Sequence, residues 1–376
     1  MSSPSNNVDR FPQSAPVIRP LADSVKRPLW SVMIPVYNCA SYLVETLTSV
    51  LAQDPGAEVM QIQVVDDAST DADVAALVRA LGGHRVEYYR QPTNVGSLRN
   101  FETCLNHSRG QLVHLLHGDD RVRPGFYTRM SALFDAHPAM GSAACHYTYI
   151  NDVGEQVHVP PLLAPEAGVL DNWLLRIART QALQYACTVV RRSVYEQLGG
   201  FYGTNYAEDW EMWVRIARHY PVGYLPETLA EYRHRTHSIS WERTRSQELV
   251  PDVLHAIGRI EQHLPVSERA KISRLARKDW ACYTLGFAYR ALREPGSQPV
   301  AIKQVYQVFT LSNHPQVYLT AGRLLLSLVL HSKYATLLRP LYKAVRSTAP
   351  APASVADRGA VLPLPKPIEQ FYKQLG

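Results

Sequence analysis

Residues 61–71, with the sequence QIQVVDDASTD, constrain the fold more than any other segment, because a short apolar run ends there on two adjacent carboxylates. The Ile and Val residues of this run are β-formers without polar alternation, a pattern typical of a strand buried on both faces of a parallel sheet. Asp66 and Asp67 then follow at the carboxyl end of the strand, where open α/β sheets bind their ligands. Ser69 or Thr70 could instead cap a following helix, so a purely structural interpretation stays open at this point.

This strand belongs to a series in which strands alternate with helices. Strands are predicted at 30–37, 61–66, 85–90 and 111–116, and the helices between them at 42–51, 72–81 and 97–108. The alternation predicts right-handed βαβ units, and therefore an α/β fold with a parallel sheet flanked by helices. The pattern then becomes mixed, with a helix at 125–136, strands near 142–150 and 185–191, and a helix at 209–219.

The chain divides into four predicted regions: a flexible polar arm at 1–28, an α/β domain at 29–242, a helical region at 243–346 and a Pro/Ala-rich tail at 347–376. The arm lacks the charged-then-apolar order of a signal peptide, and no run of apolar residues is long enough to span a bilayer. The 5 cysteines are scattered without a C-x-x-C pair. These features predict a cytoplasmic protein without a disulfide framework or a zinc site.

Charge is distributed unevenly along the chain. Residues 1–242 carry 25 acidic and 20 basic residues, whereas residues 243–376 carry 8 and 19. A basic C-terminal part predicts an anionic partner, and because no nucleic-acid-binding motif accompanies it, a membrane surface is favoured over nucleic acid. The apolar segment 319–330 could lie on an anionic membrane, or it could be an ordinary packed helix. The basic residues around it are Arg323, Lys333, Arg339, Lys343 and Arg346.

The first candidate site combines the ends of two neighbouring strands. Pro35, Tyr37 and Asn38 end the first strand, and Asp67 ends the second. Adjacent strand ends form a pocket floor in which an aromatic ring can stack on a base and a carboxylate can accept a hydrogen bond from a ring N–H. Taken alone, Tyr37 is more often a half-buried loop residue.

The second candidate site is the His117-Gly118-Asp119-Asp120 segment after the strand at 111–116. Gly118 would allow a close approach of backbone or ligand. The two carboxylates are the hard oxygen ligands that Mg²⁺ or Mn²⁺ prefers when it bridges a diphosphate. A polar turn that uses Asp as a turn former is the alternative.

Two further polar segments follow. Glu208 and Asp209 precede an aromatic helix, where Asp209 could be the N-cap, a general base with a shifted pKa, or both. The segment 232–240 is dense in cationic residues, among them Arg233, Arg235 and His237. It is either a solvated surface or a lid that brings these side chains onto phosphate oxygens.

In order along the chain, these pieces resemble the family-2 inverting glycosyltransferases of the GT-A fold. The matching motifs, which span about residues 29–242, are VMIPVYN, VVDDASTD, NVG with RN, LLHGDD, GGF, AEDWEMWVRIA and YRHRTHSIS. The resemblance implies a mostly parallel twisted sheet, a nucleotide-diphosphate sugar donor, with UDP favoured, and a glycan or lipid-linked acceptor. A helical appendage would follow this domain.

The resemblance also implies roles for the candidate residues. The donor nucleotide would contact Pro35, Tyr37, Asn38, Asp67, Asn94, Arg99 and Gly118. Asp119 and Asp120 would hold Mn²⁺ or Mg²⁺. Asp209, next to Glu208, would deprotonate the acceptor hydroxyl, which then displaces the nucleotide diphosphate in line and inverts the configuration.

Two positions depart from the family pattern. The acidic motif is commonly D-x-D-D, but His117 occupies its first position. Arg235 falls where a histidine is often found in the lid segment. The metal would then have fewer protein ligands, and the hypothesis is that Arg233 or Arg235 shares in neutralising the diphosphate.

Two rival functions remain at this stage. A non-catalytic module that binds sugar nucleotides or glycans could retain the same fold, and the altered His117 and Arg235 leave that option open. A nucleotidyltransferase also uses carboxylates and Mg²⁺, but the Gly-rich basic phosphate loop expected early in its sheet is missing. The sequence also lacks G-x-G-x-x-G, P-loop, H-E-x-x-H and G-x-S-x-G motifs, which argues against dehydrogenases, NTPases, zincins and serine hydrolases.

Overall fold

The structure, a computed structural model, describes residues 10–330 except 23, 25, 204–205, 236–238 and 293–296. The chain divides into two compact units, the first formed by residues up to 238 together with 255–272, and the second by 239–254 and the chain from 273 onward. The boundary predicted after residue 242 therefore differs from the observed division, because 255–272 returns to the first unit. Residues 1–9 of the predicted arm, 331–346 of the helical region and the tail 347–376 lie outside the described residues.

The elements follow the predicted order closely in the first half of the chain. The strands are β1 (Trp30–Val36), β2 (Met60–Asp66), β3 (Glu87–Arg90), β4 (Leu112–Leu115), β5 (Arg121–Val122), β6 (Ser142–Ile150), β7 (Gln156–His158), β8 (Gly168–Val169), β9 (Thr188–Arg191) and β10 (Val222–Arg233). The helices are α1 (Ala40–Leu51), α2 (Val74–Gly82), α3 (Ser97–His107), α4 (Phe126–Ala136), α5 (Trp173–Arg179), α6 (Arg192–Leu198), α7 (Glu208–His219), α8 (Ile239–Thr244), α9 (Leu249–His263), α10 (Val266–Leu292), α11 (Gln298–Leu311) and α12 (Pro315–Leu330).

The first unit is built around a mixed sheet with the strand order β3-β2-β1-β4-β9-β6-β10-β5. The strands β3, β2, β1 and β4 are parallel, as the alternating pattern predicts, and β1 lies between β2 and β4. Every residue of β1 and β2 is buried. The chain leaves β1 in one direction to β2 and reaches β4 on the other side, which makes the carboxyl end of β1 a topological switch point.

The second half of the sheet was predicted less completely. Strand β9 pairs antiparallel with both β4 and β6, and thereby joins the parallel half to the pair formed by β6 and β10. The strand predicted at 185–191 is shorter than expected, because Tyr185–Cys187 form a turn of 3-10 helix before β9. The predicted α/β class, with helices flanking a central sheet and further helices near the C-terminus, is confirmed.

The N-terminal segment differs from the predicted flexible arm over the residues that are described. Gly200 N–H donates to the carbonyl of Pro16 at 2.9 Å, and Gly203 N–H donates to that of Pro12 at 2.8 Å. The side chain of Ile18 is 0% exposed. The polar composition suggested flexibility, but backbone hydrogen bonds and one apolar anchor hold residues 10–22 against the first unit.

Over its described residues, the second unit is helical, as predicted. Ala288, Ala291 and Ala301 form a small buried cluster between α10 and α11. Gln304 donates from Nε2 to the carbonyl of Thr244 at 2.8 Å, which ties α11 to the end of α8. Among the described helices, none combines the length and hydropathy that crossing a bilayer requires.

The anchoring of the N-terminal segment is testable by truncating a buried side chain. Ile18→Ala should lower the free energy of unfolding by about 2–5 kcal/mol, because it removes buried methyl groups and leaves a cavity. Val17→Ala is the matched control, since Val17 is 76% exposed and should change that free energy by no more than about 0.5 kcal/mol. Urea unfolding measures both variants, and equally small effects would contradict the packed segment.

Candidate functional site

The carboxyl ends of β1, β2 and β4 come together at one edge of the sheet. Asp67 N–H donates to the carbonyl of Val36 at 2.8 Å, and Gly118 N–H donates to that of Pro35 at 3.1 Å. A Cβ atom on Gly118 would lie 2.8 Å from Cγ2 of Val36 and 3.0 Å from Sγ of Cys39. Glycine is therefore required at position 118, because the end of β1 lies too close for a side chain. The sequence suggested a close approach of backbone or ligand, and the approaching group is the protein itself.

The three residues predicted at the end of β1 occupy different environments. Pro35 is buried within the strand, so its contribution is the carbonyl that accepts from Gly118. Tyr37, the residue that follows β1, is 47% exposed. Asn38 has a positive φ of 47°, and its Oδ1 accepts from Thr70 N–H at 2.8 Å. Asn38 thus fastens the β1 turn to the β2 turn, while Tyr37 stays available to a ligand.

Asp67 is buried and holds the turn that precedes α3. Its carboxylate accepts from Val95 N–H at 2.7 Å, from Gly96 N–H at 2.9 Å and from Nδ2 of Asn94 at 2.9 Å. Burial raises the pKa of Asp67, and the two backbone hydrogen bonds oppose that shift. Arg99, on α3, pairs with Glu102 at 2.7 Å. The structure thus brings Asp67 and Asn94 into direct contact.

His117, Asp119 and Asp120 form the cluster with metal-ligand character. One ligand atom from each of the three side chains lies within 4.8 Å of the others. Within the described part of the chain, Nε2 of His117 and Oδ2 of Asp120 are buried and have no hydrogen-bond partner. A buried polar atom without a partner lowers the stability of the fold. A cation at this place would give both of these atoms a partner.

The protonation states of the cluster suit a divalent cation. Burial lowers the pKa of His117 to about 4, so the imidazole is neutral and its ring nitrogen is free to bind a metal. Burial, and then the neighbouring Asp119, raise the pKa of Asp120 well above its usual range. A divalent cation would offset the cost of holding these carboxylates together. The residues therefore fit a metal ion, with His117 as a nitrogen ligand beside the two predicted carboxylates.

Arg233 has a structural position that differs from the predicted lid. Its side chain is 0% exposed. Nε donates to the carbonyl of Asp119 at 2.8 Å, Nη1 donates to that of Asn151 at 3.0 Å, and Nη2 pairs with Glu45 at 2.8 Å. The sequence predicted Arg233 at a diphosphate, whereas in the structure its guanidinium makes its contacts inside the protein. It holds the turn that carries the acidic cluster.

Arg235 is the cation that reaches the cluster itself. Its Nε lies 2.6 Å from Oδ2 of Asp119, and its guanidinium lies over the ring of Tyr42, 5.3 Å from the centroid. Arg235 thus places a positive charge beside Asp119. His237, the third residue predicted for the lid, lies outside the described residues.

Asp209 lies in the first turn of α7, and Ala207, with φ of 66°, is the N-cap instead. Oδ1 of Asp209 accepts from Trp210 N–H at 2.7 Å, and Oδ2 accepts from Nε2 of Gln181 at 2.6 Å. Burial, reinforced by the neighbouring charge of Glu208, raises the pKa of Asp209 well above its usual range. A buried carboxylate with a raised pKa is a stronger base when ionised than an exposed one.

An aromatic stack connects the acidic cluster to the start of α7. The ring of Tyr185 lies 4.4 Å from that of His117, and its hydroxyl donates to Oε1 of Glu208 at 3.1 Å. His117 also stacks on Phe101 of α3 with centroids 5.1 Å apart, and Phe101 lies 5.4 Å from the ring of Tyr185. Sequence reasoning missed Tyr185 and Gln181. Neither stands in a motif, and both reach the site from the turn between α5 and β9.

A family model described as glycosyl transferase family 2 matches residues 31–199. An uncharacterized protein of Mycobacterium tuberculosis is 30% identical over 55% of this chain and 68% of its own length. The putative glycosyltransferase EpsE of Bacillus subtilis is 26% identical over 57% of this chain and 76% of its own.

Two solved structures share the fold across most of the chain. S. aureus TarS 1–349 in complex with UDP-GlcNAc has a TM-score of 0.57 at 18% identity, and the match covers 89% of this chain and 96% of that one. The mannosyltransferase PcManGT from Pyrobaculum calidifontis, in complex with GDP-Man and Mn²⁺, has a TM-score of 0.51 at 20% identity, covering 89% and 90%. At these identities the likeness concerns the fold.

The ligand role of His117 is testable without turnover. His117→Ala should weaken Mn²⁺ binding by at least about tenfold, since even partners outside the ligand shell contribute that much. Calorimetric titration with Mn²⁺ in the presence of UDP measures the affinity. His84→Ala removes an exposed histidine and should leave the affinity unchanged.

Spectroscopy identifies the ligand directly. Electron spin echo modulation of the bound Mn²⁺ should show coupling to an imidazole nitrogen in the unaltered protein and lose it in His117→Ala. Absence of that coupling in the unaltered protein, combined with equal affinities, would remove His117 from the ligand set.

Proposed function

Because this chain belongs to glycosyl transferase family 2 and is a glycosyltransferase, we propose that it inverts configuration as it transfers a sugar from a UDP-sugar to a hydroxyl group. The acceptor would be a glycan or a lipid-linked glycan. The family predicted from the ordered motifs is confirmed. The observation that carries the mechanism is Asp209, a buried carboxylate with a raised pKa, connected to the acidic cluster through Glu208 and Tyr185.

The catalytic step assigned to Asp209 is general-base catalysis. Oδ2 of Asp209 is oriented by Gln181, so a carboxylate oxygen at the start of α7 can take the proton of an acceptor hydroxyl. The oxygen of that hydroxyl attacks the anomeric carbon on the face opposite the diphosphate, and the bond to the diphosphate breaks. A single displacement of this kind inverts the configuration and needs no covalent intermediate on the protein. Glu208, held by Tyr185, keeps negative charge next to the base.

The donor would lie across the ends of β1, β2 and β4. The exposed ring of Tyr37 offers a stacking surface for uracil, and the carboxylate of Asp67 is an acceptor for its ring N–H. Three of about four acceptor positions of Asp67 are occupied within the protein, which leaves room for one more donor. Gly118 allows the backbone of the next turn to lie close to this floor.

The diphosphate would lie beside His117, Asp119 and Asp120. A divalent cation held there, Mn²⁺ or Mg²⁺, would neutralise the charge that builds on the departing diphosphate. Arg235 is paired with Asp119 in the free protein. A cation held by Asp119 would leave Arg235 available to a phosphate oxygen, and two positive charges would then face the same anionic ligand.

Contact with a membrane is a further part of the proposal. The predicted cytoplasmic protein would meet a lipid-linked acceptor at the inner face of the membrane. In the second unit, Tyr306, Tyr318 and Leu319 are exposed, as amphipathic membrane contacts require. Of the predicted basic residues, Lys333, Arg339, Lys343 and Arg346 lie outside the described residues.

Replacement of the base tests the proposed reaction. Asp209→Asn should lower the rate of UDP release from a UDP-sugar by about 10²- to 10⁴-fold, because the amide cannot accept the proton. UDP binding should persist, since Asp209 is assigned to the acceptor side. In the unaltered protein, the rate should fall as pH drops through the raised pKa of Asp209, because only the ionised carboxylate accepts a proton.

The matched control is Asp171→Asn, which makes the same change at an exposed position. Thermal-shift titration first identifies the nucleotide, since a ligand at a hundred times its dissociation constant adds about 2.7 kcal/mol. UDP, dTDP, GDP and CMP are compared, each with Mn²⁺ and with a chelator. Nucleotide binding without turnover of any donor would favour the non-catalytic binding module.

Arg235→Ala should have effects of opposite sign on two ligands. Mn²⁺ alone should bind more tightly, because the competing charge next to Asp119 is gone. UDP in the presence of Mn²⁺ should bind less tightly, because one of the two cations that face the diphosphate is lost. Calorimetry measures both affinities. Arg129→Ala, at an exposed surface pair, should change neither, and an unchanged UDP affinity in Arg235→Ala would exclude a role of Arg235 at the diphosphate.

A further inference from the structure

The N-terminal segment, residues 10–22, reaches the donor side of the site from outside the matched family region of 31–199. Its course is fixed at three places. Pro12 and Pro16 accept backbone hydrogen bonds from Gly203 and Gly200, and the carbonyl of Arg19 accepts from Nη2 of Arg192 at 3.1 Å. With its register set in this way, the segment places Arg10 at a defined position.

Arg10 contacts the turn that surrounds Asp67. Its guanidinium donates to Oδ1 of Asn94. It also lies against Gly96, where an added Cβ atom would be 3.0 Å from Nε of Arg10. Gly96 has a φ of 90°, so the turn here depends on glycine both for its conformation and for the approach of Arg10.

The contact determines which way the amide of Asn94 points. Because Oδ1 of Asn94 accepts from Arg10, Nδ2 must face the other way, and it donates to Oδ2 of Asp67 at 2.9 Å and to the Asp67 carbonyl at 3.2 Å. An amide rotated by half a turn would place an oxygen against the carboxylate and repel it. Arg10 at Oδ1 and the Asp67 carboxylate at Nδ2 therefore hold the amide of Asn94 from its two ends.

We propose that Arg10 is a positioning residue of the donor site, which sets base selectivity by fixing the amide of Asn94 and through it the carboxylate of Asp67. The ligand belongs to the nucleoside diphosphates, and Arg10 affects recognition of its nucleoside part. The inference rests on the proposed function, which assigns Asp67 to the ring N–H of the base. Uracil carries that N–H and cytosine lacks it, so a correctly held Asp67 discriminates UDP from CDP.

Calorimetric titration of the full chain with UDP, CDP and pyrophosphate, each with Mn²⁺, tests the proposal. In Arg10→Ala, UDP affinity should fall about tenfold and the preference for UDP over CDP should shrink, whereas pyrophosphate affinity should stay unchanged. Arg10→Lys retains a donor for Oδ1 of Asn94 and should restore part of the preference. Arg19→Ala is the matched control on the same segment, because the hydrogen bonds described for Arg19 come from its backbone.

The outcomes separate this inference from the proposed function. If the unaltered protein binds UDP and Arg10→Ala retains the same UDP affinity and UDP/CDP ratio, the inference is wrong and the proposed function stands. An equal loss for UDP, CDP and pyrophosphate would place Arg10 at the diphosphate, or reveal a general loss of structure, and would also overturn it. If the unaltered protein binds no nucleoside diphosphate, the proposed function fails and the inference fails with it.

Discussion

The arrangement of the site depends on the buried guanidinium of Arg233. It connects the turn after β4 to the turn after β6 and, through Glu45, to α1. Since a charged group removed from water must find acceptors inside the protein, each of these contacts is costly to lose. The backbone N–H of Arg233 also donates to Oδ1 of Asp120 at 2.8 Å. The acidic turn is therefore held against β10 before any ligand binds, which is the preorganisation that an electrostatic site requires.

Three buried carboxylates near strand ends differ in how completely the protein itself satisfies them. Asp66 accepts from Ser69 N–H, Tyr88 and Arg90, and Asp67 accepts from the turn before α3. Asp120 differs, because one of its oxygens has no partner among the described residues. The carboxylates of Asp66 and Asp67 hold loops through their hydrogen bonds. The buried oxygen of Asp120 has lost its contact with water and has no described hydrogen bond to offset that cost. A ligand gains most where such a cost remains, and for this reason the acidic turn, rather than the whole row of carboxylates, fits a cation.

The parallel half of the fold could be predicted from sequence because its signals are local. Apolar runs that end on polar residues indicate strands, and their alternation with helices fixes parallel pairing. The insertion of β9 between β4 and β6 depends on pairings between distant segments, for which no local pattern exists. The buried position of Arg233 could not be predicted for a related reason: a cationic stretch looks solvated in sequence, and only the folded chain shows that one guanidinium is buried. The N-terminal segment was misjudged because several of its hydrogen bonds, such as those at Pro12 and Pro16, are made by the backbone, which leaves no mark in composition.

The family match ends at residue 199, whereas Asp209, Arg233 and Arg235 follow it and Arg10 precedes it. The matched region supplies the strand ends and their turns, including Tyr37, the features that any donor of this class would meet. Arg233 and Arg10, which lie outside it, contact those turns, and Asp209 is the proposed catalytic base. A turn with several polar groups adopts a single conformation only when other parts of the chain form hydrogen bonds with some of those groups. Under the proposed function, selectivity depends as much on segments outside the matched family region as on the strand ends themselves.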